Sequence, residues 1–200
     1  MRAIDKGGIS LSHQRKSRIV TPKDEWGTPQ WLFDLLNEEF CFHCDAAATE
    51  ENTKCPLFMG QPYADALKQM VWCGYAPGED ADYTVSRFFL NPPYSAGNID
   101  RFMQKAYEES QKGALVVCLV PCATDTRWWH NYAMKAQEIR FIRGRVRFVG
   151  YDEDGKQVQN SPTFSSCVVI FWQREPEAIN DPPRIGKTIE QPKKGKGVTA

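Results

Sequence analysis

The unbroken apolar run Ala114 to Val120 (Ala-Leu-Val-Val-Cys-Leu-Val) constrains the fold of this 200-residue chain more than any other feature. A strand with one wet face alternates apolar and polar residues. A valine-rich run without alternation suits a central strand covered on both faces, as in a parallel sheet sandwiched by helices. The residues around it agree. Before Gly113, the positions Ile99, Phe102, Met103, Ala106 and Tyr107 follow the i, i+3, i+4, i+7, i+8 spacing of an amphipathic helix that Asn98 can cap. After Pro121, a helix is predicted from about Thr126 to Ala136, opened by Thr124 or Asp125.

The same reading extends to both sides. Thr28-Pro29 reads as a helix start, Thr28 capping and Pro29 at the first helical position, with Leu32, Leu35, Leu36 and Phe40 as the apolar face. Phe40 to Cys44 has room for a short strand ending at Asp45, and Arg87 to Leu90 reads as a strand running into Asn91. Glu138 to Ile142, Val146 to Gly150 and Cys167 to Trp172 are further strands, whereas residues 50–78 carry no clear pattern. Strand and helix alternating in this way predict an α/β fold: a mostly parallel twisted sheet with an antiparallel C-terminal hairpin and helices on both faces. Residues 1–25 read as a flexible polar arm, 26–173 as the folded domain and 174–200 as a disordered basic tail, poor in apolar residues.

Composition narrows the function classes. Formal net charge is zero, so any grip on nucleic acid rests on local basic patches rather than on bulk charge. The densest is Arg140, Arg143, Arg145 and Arg147, which reads as a phosphate-contacting surface. Seven cysteines, an odd number at irregular spacing and partly inside apolar runs, suit reduced thiols rather than a disulfide framework. Cys41, His43, Cys44 and Cys55 lack the second ligand pair of a zinc site, and no metal is expected. No apolar run reaches the ~20 residues of a membrane helix, and the N-terminus lacks a signal-peptide core; a cytoplasmic protein is expected.

Chemistry concentrates in Asn91-Pro92-Pro93-Tyr94, at the end of a predicted strand. An amino group on an aromatic ring is a poor nucleophile because its lone pair is delocalised. The Asn91 side-chain oxygen and the Pro92 carbonyl can each accept one N–H bond from it. They would hold the nitrogen as it becomes tetrahedral and exposes its lone pair. The prolines fix φ and restrict the preceding residue, so both acceptors are positioned in advance. Tyr94 supplies a ring on which a base can stack, and a base within a duplex must be flipped out to reach it. Asp45 and Pro121, also at predicted strand ends, would face the same cleft.

With these residues in order, the sequence resembles the phage-type DNA N6-adenine methyltransferases, a Dam-like family. The resemblance runs through Trp26-Gly27-Thr28-Pro29, Asp45-Ala46-Ala47-Ala48, Asn52-Thr53-Lys54-Cys55, Asp65-Ala66-Leu67 with Trp72, and the Asn91 tetrapeptide. It continues through Thr124 to Trp128, Ile139 to Arg145 and Ser161-Pro162 to Phe171. It implies a Rossmann-like methyltransferase fold, S-adenosylmethionine as methyl donor, and a flipped-out adenine of double-stranded DNA as acceptor, in the cytoplasm of a bacterial host. By resemblance, Asn91, Pro92, Pro93 and Tyr94 are catalytic. Trp26, Thr28, Pro29, Asp45, Ala46 and Asp65 hold the donor, Asp65 at its adenine. The DNA contacts fall to Arg143, Arg145, Arg147 and Phe164, the last as a second stacking ring. One departure stands out: alanines occupy the first loop where many methyltransferases have glycine, with none between Asp45 and Gly60. The alternatives are methylation of another planar nitrogen, cytosine N4 or a protein glutamine, and a non-catalytic nucleic-acid-binding protein on the same fold.

Overall fold

A computed structural model describes residues 19, 21–22, 24–60, 65–75, 84–95, 97–172 and 183–192. The expected arm before residue 19, residues 76–83 and the basic run Lys193 to Lys196 lie outside them. In chain order the elements are α1 (Gln30–Phe40), β1 (Cys44–Asp45), β2 (Leu57–Phe58), β3 (Gly74–Tyr75), β4 (Thr84–Val85), β5 (Arg87–Leu90) and α2 (Asn98–Gln111). There follow β6 (Leu115–Pro121), α3 (Arg127–Asn131), β7 (Glu138–Phe141), β8 (Phe148–Tyr151), β9 (Gln157–Asn160), β10 (Ser166–Phe171) and β11 (Arg184–Ile185).

Seven strands form one sheet in the order β11-β7-β10-β6-β5-β1-β2, so the apolar run supplies its middle strand. β2, β1, β5 and β6 are mutually parallel; β10 runs antiparallel to both its neighbours, β6 and β7. Alternate β6 side chains feed two cores, as the pleat requires. Val116, Cys118 and Val120 meet Phe102, Met103 and Ala106 of α2 and Trp128 and Trp129 of α3. Leu115, Val117 and Leu119 meet Leu32, Phe33, Leu36 and Phe40 of α1 on the other face. The fold is the α/β arrangement expected of a Rossmann-like methyltransferase.

Several expectations shift. The expected antiparallel hairpin is present, formed by β8 and β9 as a separate two-stranded ribbon rather than as an extension of the main sheet. The antiparallel partner of β7 is β10, which is long and apolar on both faces and so belongs inside the sheet. The predicted helix from Thr126 to Ala136 is a five-residue helix followed by a 3-10 turn, Ala133–Lys135. In α1, Phe33 rather than Leu35 completes the buried stripe, because the helix centres its contact on Leu32 and Leu36. From the stretch set aside as a tail, Arg184–Ile185 adds the outer strand beside β7 and Ile189 is buried.

α1 ends at Cys41, which adopts a left-handed conformation (φ 50°, ψ 65°). A side chain there carries a steric cost that glycine avoids. Cys41→Gly is expected to stabilise the protein by about 0.5–1 kcal/mol, read as a higher thermal midpoint.

Candidate active site

The chain steps from β1 to β2 on one side and from β5 to β6 on the other, so the strand order reverses between β1 and β5. Ligands of open α/β sheets bind beyond the carboxyl ends of the strands at such a point. Asp45 ends β1 and Asn91 follows β5, and both border a small notch there. Next to it lies a cavity of about 370 Å³ bordered by the whole tetrapeptide Asn91 to Tyr94.

The notch is built from the segment before α1 and the loop after β1. Trp26, Gly27 and Thr28 line it, opposite Asp45, Ala47, Asn52 and Lys54. Gly27 exchanges two backbone hydrogen bonds with Val149 (2.8 and 2.9 Å), which fastens this segment to β8. Gly150 is required beside it, because a β-carbon there would lie 2.8 Å from the Trp26 ring. The Thr28 hydroxyl is buried and has no hydrogen-bond partner. It does not cap α1, whose N-cap is Pro29. A buried hydroxyl without a protein partner is costly, and a water or a ligand group in the notch would satisfy it.

Asp45 is buried, and its carboxylate accepts the backbone N–H groups of Ala47 (3.4 Å) and Lys54 (3.2 Å). Burial pushes its pKa up to about 6, against the lowering effect of those two N–H groups and the Lys54 charge. Among the described residues, Cys41 is the one non-glycine with positive φ. The loop Asp45 to Ala48 therefore makes its turn without the conformation that demands glycine. Ala46 and Ala48 are buried, their methyl groups facing inward, while Ala47 borders the notch. The alanines are accommodated by backbone geometry.

In the cavity, Asn91 is held at both ends of its amide. Its Nδ2 donates to the Trp26 carbonyl (3.2 Å), and its Oδ1 lies 2.7 Å from the Tyr94 hydroxyl. That hydroxyl is also 2.9 Å from the Leu119 carbonyl, so one proton has two acceptors. Burial pushes the Tyr94 pKa well up, which keeps the phenol protonated. Tyr94 meets Phe164 (5.6 Å, 79°) and Phe148 (6.0 Å, 81°) edge to face. A base lying flat on Tyr94 would therefore turn its edge, rather than its face, toward Phe164.

The other expected residues divide. Asp65 borders neither the notch nor the cavity; its carboxylate accepts the Leu67 N–H (3.0 Å) and pairs with Lys68 (3.1 Å). Pro29 serves as the α1 cap. Arg143, Arg145 and Arg147 are exposed, and Arg145 donates to Ser165 beside Phe164 (3.0 Å). Gln191 donates to the carbonyls of Arg143 and Arg145, clamping their turn. Arg140 leaves the basic patch: it pairs with Glu39 and with Glu138. Cys41 is exposed while Cys44 and Cys55 are buried, and no cluster of three metal-ligating side chains forms among the described residues. His43 Nδ1 accepts the Ser86 N–H (3.1 Å).

Sequence reasoning missed Asp24, which borders both the notch and the cavity. No local pattern marks it; only its place before Trp26 hinted at a role. It also missed Asn52 and Lys54 as walls of the notch, although both stand in a segment that carried the resemblance.

A family described as DNA N-6-adenine-methyltransferase (Dam) matches residues 16–191. A protein of Escherichia phage T1, described as a DNA N-6-adenine-methyltransferase, is 30% identical over 184 residues, which cover 82% of this chain and 70% of the relative. Matched over nearly its whole length, with Asn91 to Tyr94 lining the cavity beside the notch, the chain belongs to the DNA N-6-adenine-methyltransferase (Dam) family.

Proposed function

We propose that this chain transfers the methyl group of S-adenosylmethionine to N6 of an adenine flipped out of double-stranded DNA. The observation that carries this reading is the junction of two sites at Asn91: a polar notch on one side and an aromatic-walled cavity on the other. The donor supplies a methyl group on a positively charged sulfur, ready for transfer to a nucleophile. Its amino-acid end suits the notch, where the Asp45 carboxylate can meet an ammonium and the unpartnered Thr28 hydroxyl can bond a carboxylate. The notch holds only about 20 Å³, room for a water, so its walls must open to admit the amino-acid end of the donor.

The adenine enters the cavity against Tyr94, with Phe164 at its edge. Its amino group donates to Asn91 Oδ1 and the Pro92 carbonyl. Asn91 Oδ1 is released for this when the Tyr94 proton turns wholly to Leu119, already within 2.9 Å. Arg143, Arg145 and Arg147 track the DNA backbone beside the cavity mouth, with Gln191 holding their turn. Asp65 would reach the adenine of the donor from the loop beyond β2. The segments 74–86 and 150–163 would carry sequence preference. The phage relative supports a phage-encoded enzyme acting in the bacterial cytoplasm; no helix among the described residues is long and apolar enough to cross a membrane.

Mass spectrometry of nucleosides after incubation with DNA and labelled donor tests the function. Label in N6-methyladenine is expected; label only in N4-methylcytosine or in protein would refute it.

Asp45 gives the reaction a pH signature. Its folded pKa lies above the unfolded value of 3.8, so its contribution to the stability of the donor-free protein is present below that value and lost as pH rises through about 6. Donor affinity runs the other way, because an ammonium needs the ionised carboxylate. Calorimetry should find donor affinity weaker by about tenfold at pH 5 than at pH 7, and Asp45→Asn should flatten that dependence.

A further inference from the structure

Among the described residues, Asp24, Trp26 and Asn91 are those that border both the notch and the cavity. A methyl group moving from a donor in the first to an amino nitrogen in the second crosses between them. Of the three, Asp24 alone has a side chain that can ionise. Its Oδ1 accepts the N–H of Ser95, the residue after the tetrapeptide, at 3.2 Å, which ties the carboxylate to the reacting loop. The other charged groups at the notch, Asp45 and Lys54, do not border the cavity.

Methylation leaves a proton to be placed. As the new carbon–nitrogen bond forms, the carbon–sulfur bond breaks and its electron pair stays on sulfur, giving a neutral thioether. The nitrogen, still carrying two hydrogens, takes on positive charge as the carbon–nitrogen bond forms, so a base that draws off one proton in the same step lowers the barrier to transfer. One proton must leave to give the neutral N-methyl amine. Asn91 Oδ1 and the Pro92 carbonyl accept hydrogen bonds, but amide oxygens are too weakly basic to keep a proton. A carboxylate can keep it.

We propose that Asp24 is the proton acceptor of the reaction: the proton passes from the methylated nitrogen to the Asp24 carboxylate and from there to solvent, with no further reactant. The role rests on the adenine-methylating reading of the site. It also accounts for a carboxylate at the junction that is bonded through one oxygen to the backbone of the reacting loop.

Asp24→Asn separates this role from a structural one, since the amide oxygen can still accept the Ser95 N–H while the basicity is lost. Single-turnover transfer to an adenine-containing duplex, at saturating S-adenosylmethionine, is expected to slow by about 10²-fold or more. Donor affinity by calorimetry should stay within about threefold. Added formate should restore part of the rate to Asp24→Ala and none to Asn91→Ala. A single-turnover rate for Asp24→Asn within about threefold of the unaltered chain would overturn the proposal. So would a loss confined to donor affinity, or an Asp24→Ala protein that folds but gains nothing from formate. An unaltered chain that methylates a different nitrogen would refute the adenine reading, and the Asp24 comparison would be read on that nitrogen instead.

Discussion

Asn91→Ala is expected to slow methyl transfer by about 10²–10³-fold while the protein still folds and binds S-adenosylmethionine. The magnitude follows from what the side chain does at each end. Its Nδ2 is fixed by the Trp26 carbonyl, so its Oδ1 is aimed without freedom to rotate. That oxygen is one of two acceptors that would draw the amino group out of conjugation with its ring. Removing it leaves the nitrogen planar and unreactive, and leaves Tyr94 bonded to Leu119 alone. The loss should fall on kcat, because an acceptor that bonds most strongly to the developing tetrahedral nitrogen acts in the transition state. Asn91→Asp should lose less: it keeps an acceptor oxygen but sets a carboxylate against the Trp26 carbonyl. Steady-state kinetics on duplex DNA, with calorimetric donor binding as the control, check this. Full activity in both Asn91→Ala and Tyr94→Ala would sink the assigned mechanism.

The second large effect concerns stability. Glu109→Ala should cost about 3–5 kcal/mol, lowering the thermal midpoint by roughly 10 °C. Glu109 has no exposed side-chain surface, yet it sits on α2 among charges: Lys105 at 2.7 Å and Lys112 at 2.8 Å. It also accepts the Trp72 N–H at 2.8 Å. Lys105 and Lys112 in turn donate to backbone carbonyls of Gln69 and Met70, so this one carboxylate ties the segment after β2 to α2. Without it, the mostly buried Lys105 keeps its charge with no counter-ion, and the Trp72 N–H loses its acceptor. Trp72, whose ring meets Phe88 at a tilt (5.4 Å, 51°), would loosen from the core. Glu109→Gln should cost less, because the amide oxygen still accepts hydrogen bonds.

The pH dependence follows with a definite sign. Burial alone pushes the Glu109 pKa up, but the two ammonium groups and the Trp72 N–H more than offset it and hold it below its usual value of 4.5. A lowered folded pKa means that the stability is present above the unfolded value and is lost as pH falls through the folded one. Denaturant titrations below about pH 4.5 should therefore close the gap between Glu109→Gln and the unaltered chain.

The sequence by itself determined much of this protein. An apolar run without alternation located the middle strand, the 3.6-residue period located the face of α2, and short apolar runs located the strands β5, β7 and β10 to within a residue or two. These signals are local, because a residue's burial there is set by neighbours a few positions away. The tetrapeptide was legible for a related reason: two prolines fix the backbone, so the chemistry of Asn91 and Tyr94 is written in four adjacent residues. What only the tertiary structure decided are pairings across long stretches of chain. Asp24 reads as part of a polar arm until its carboxylate meets Ser95, and the Thr28 hydroxyl reads as a cap until it is found buried without a partner. Arg140 and Arg143 look alike in sequence. One is bound to Glu39, 101 positions away, while the other stays exposed at the proposed DNA surface, in a solvent-facing pair with Glu190 (3.3 Å). Glu109 looks like a solvated helix residue until Lys105, Lys112 and Trp72 close around it. The physical reason is common to all four: a polar side chain's role depends on which distant group answers its charge or hydrogen bond. No local periodicity carries that information.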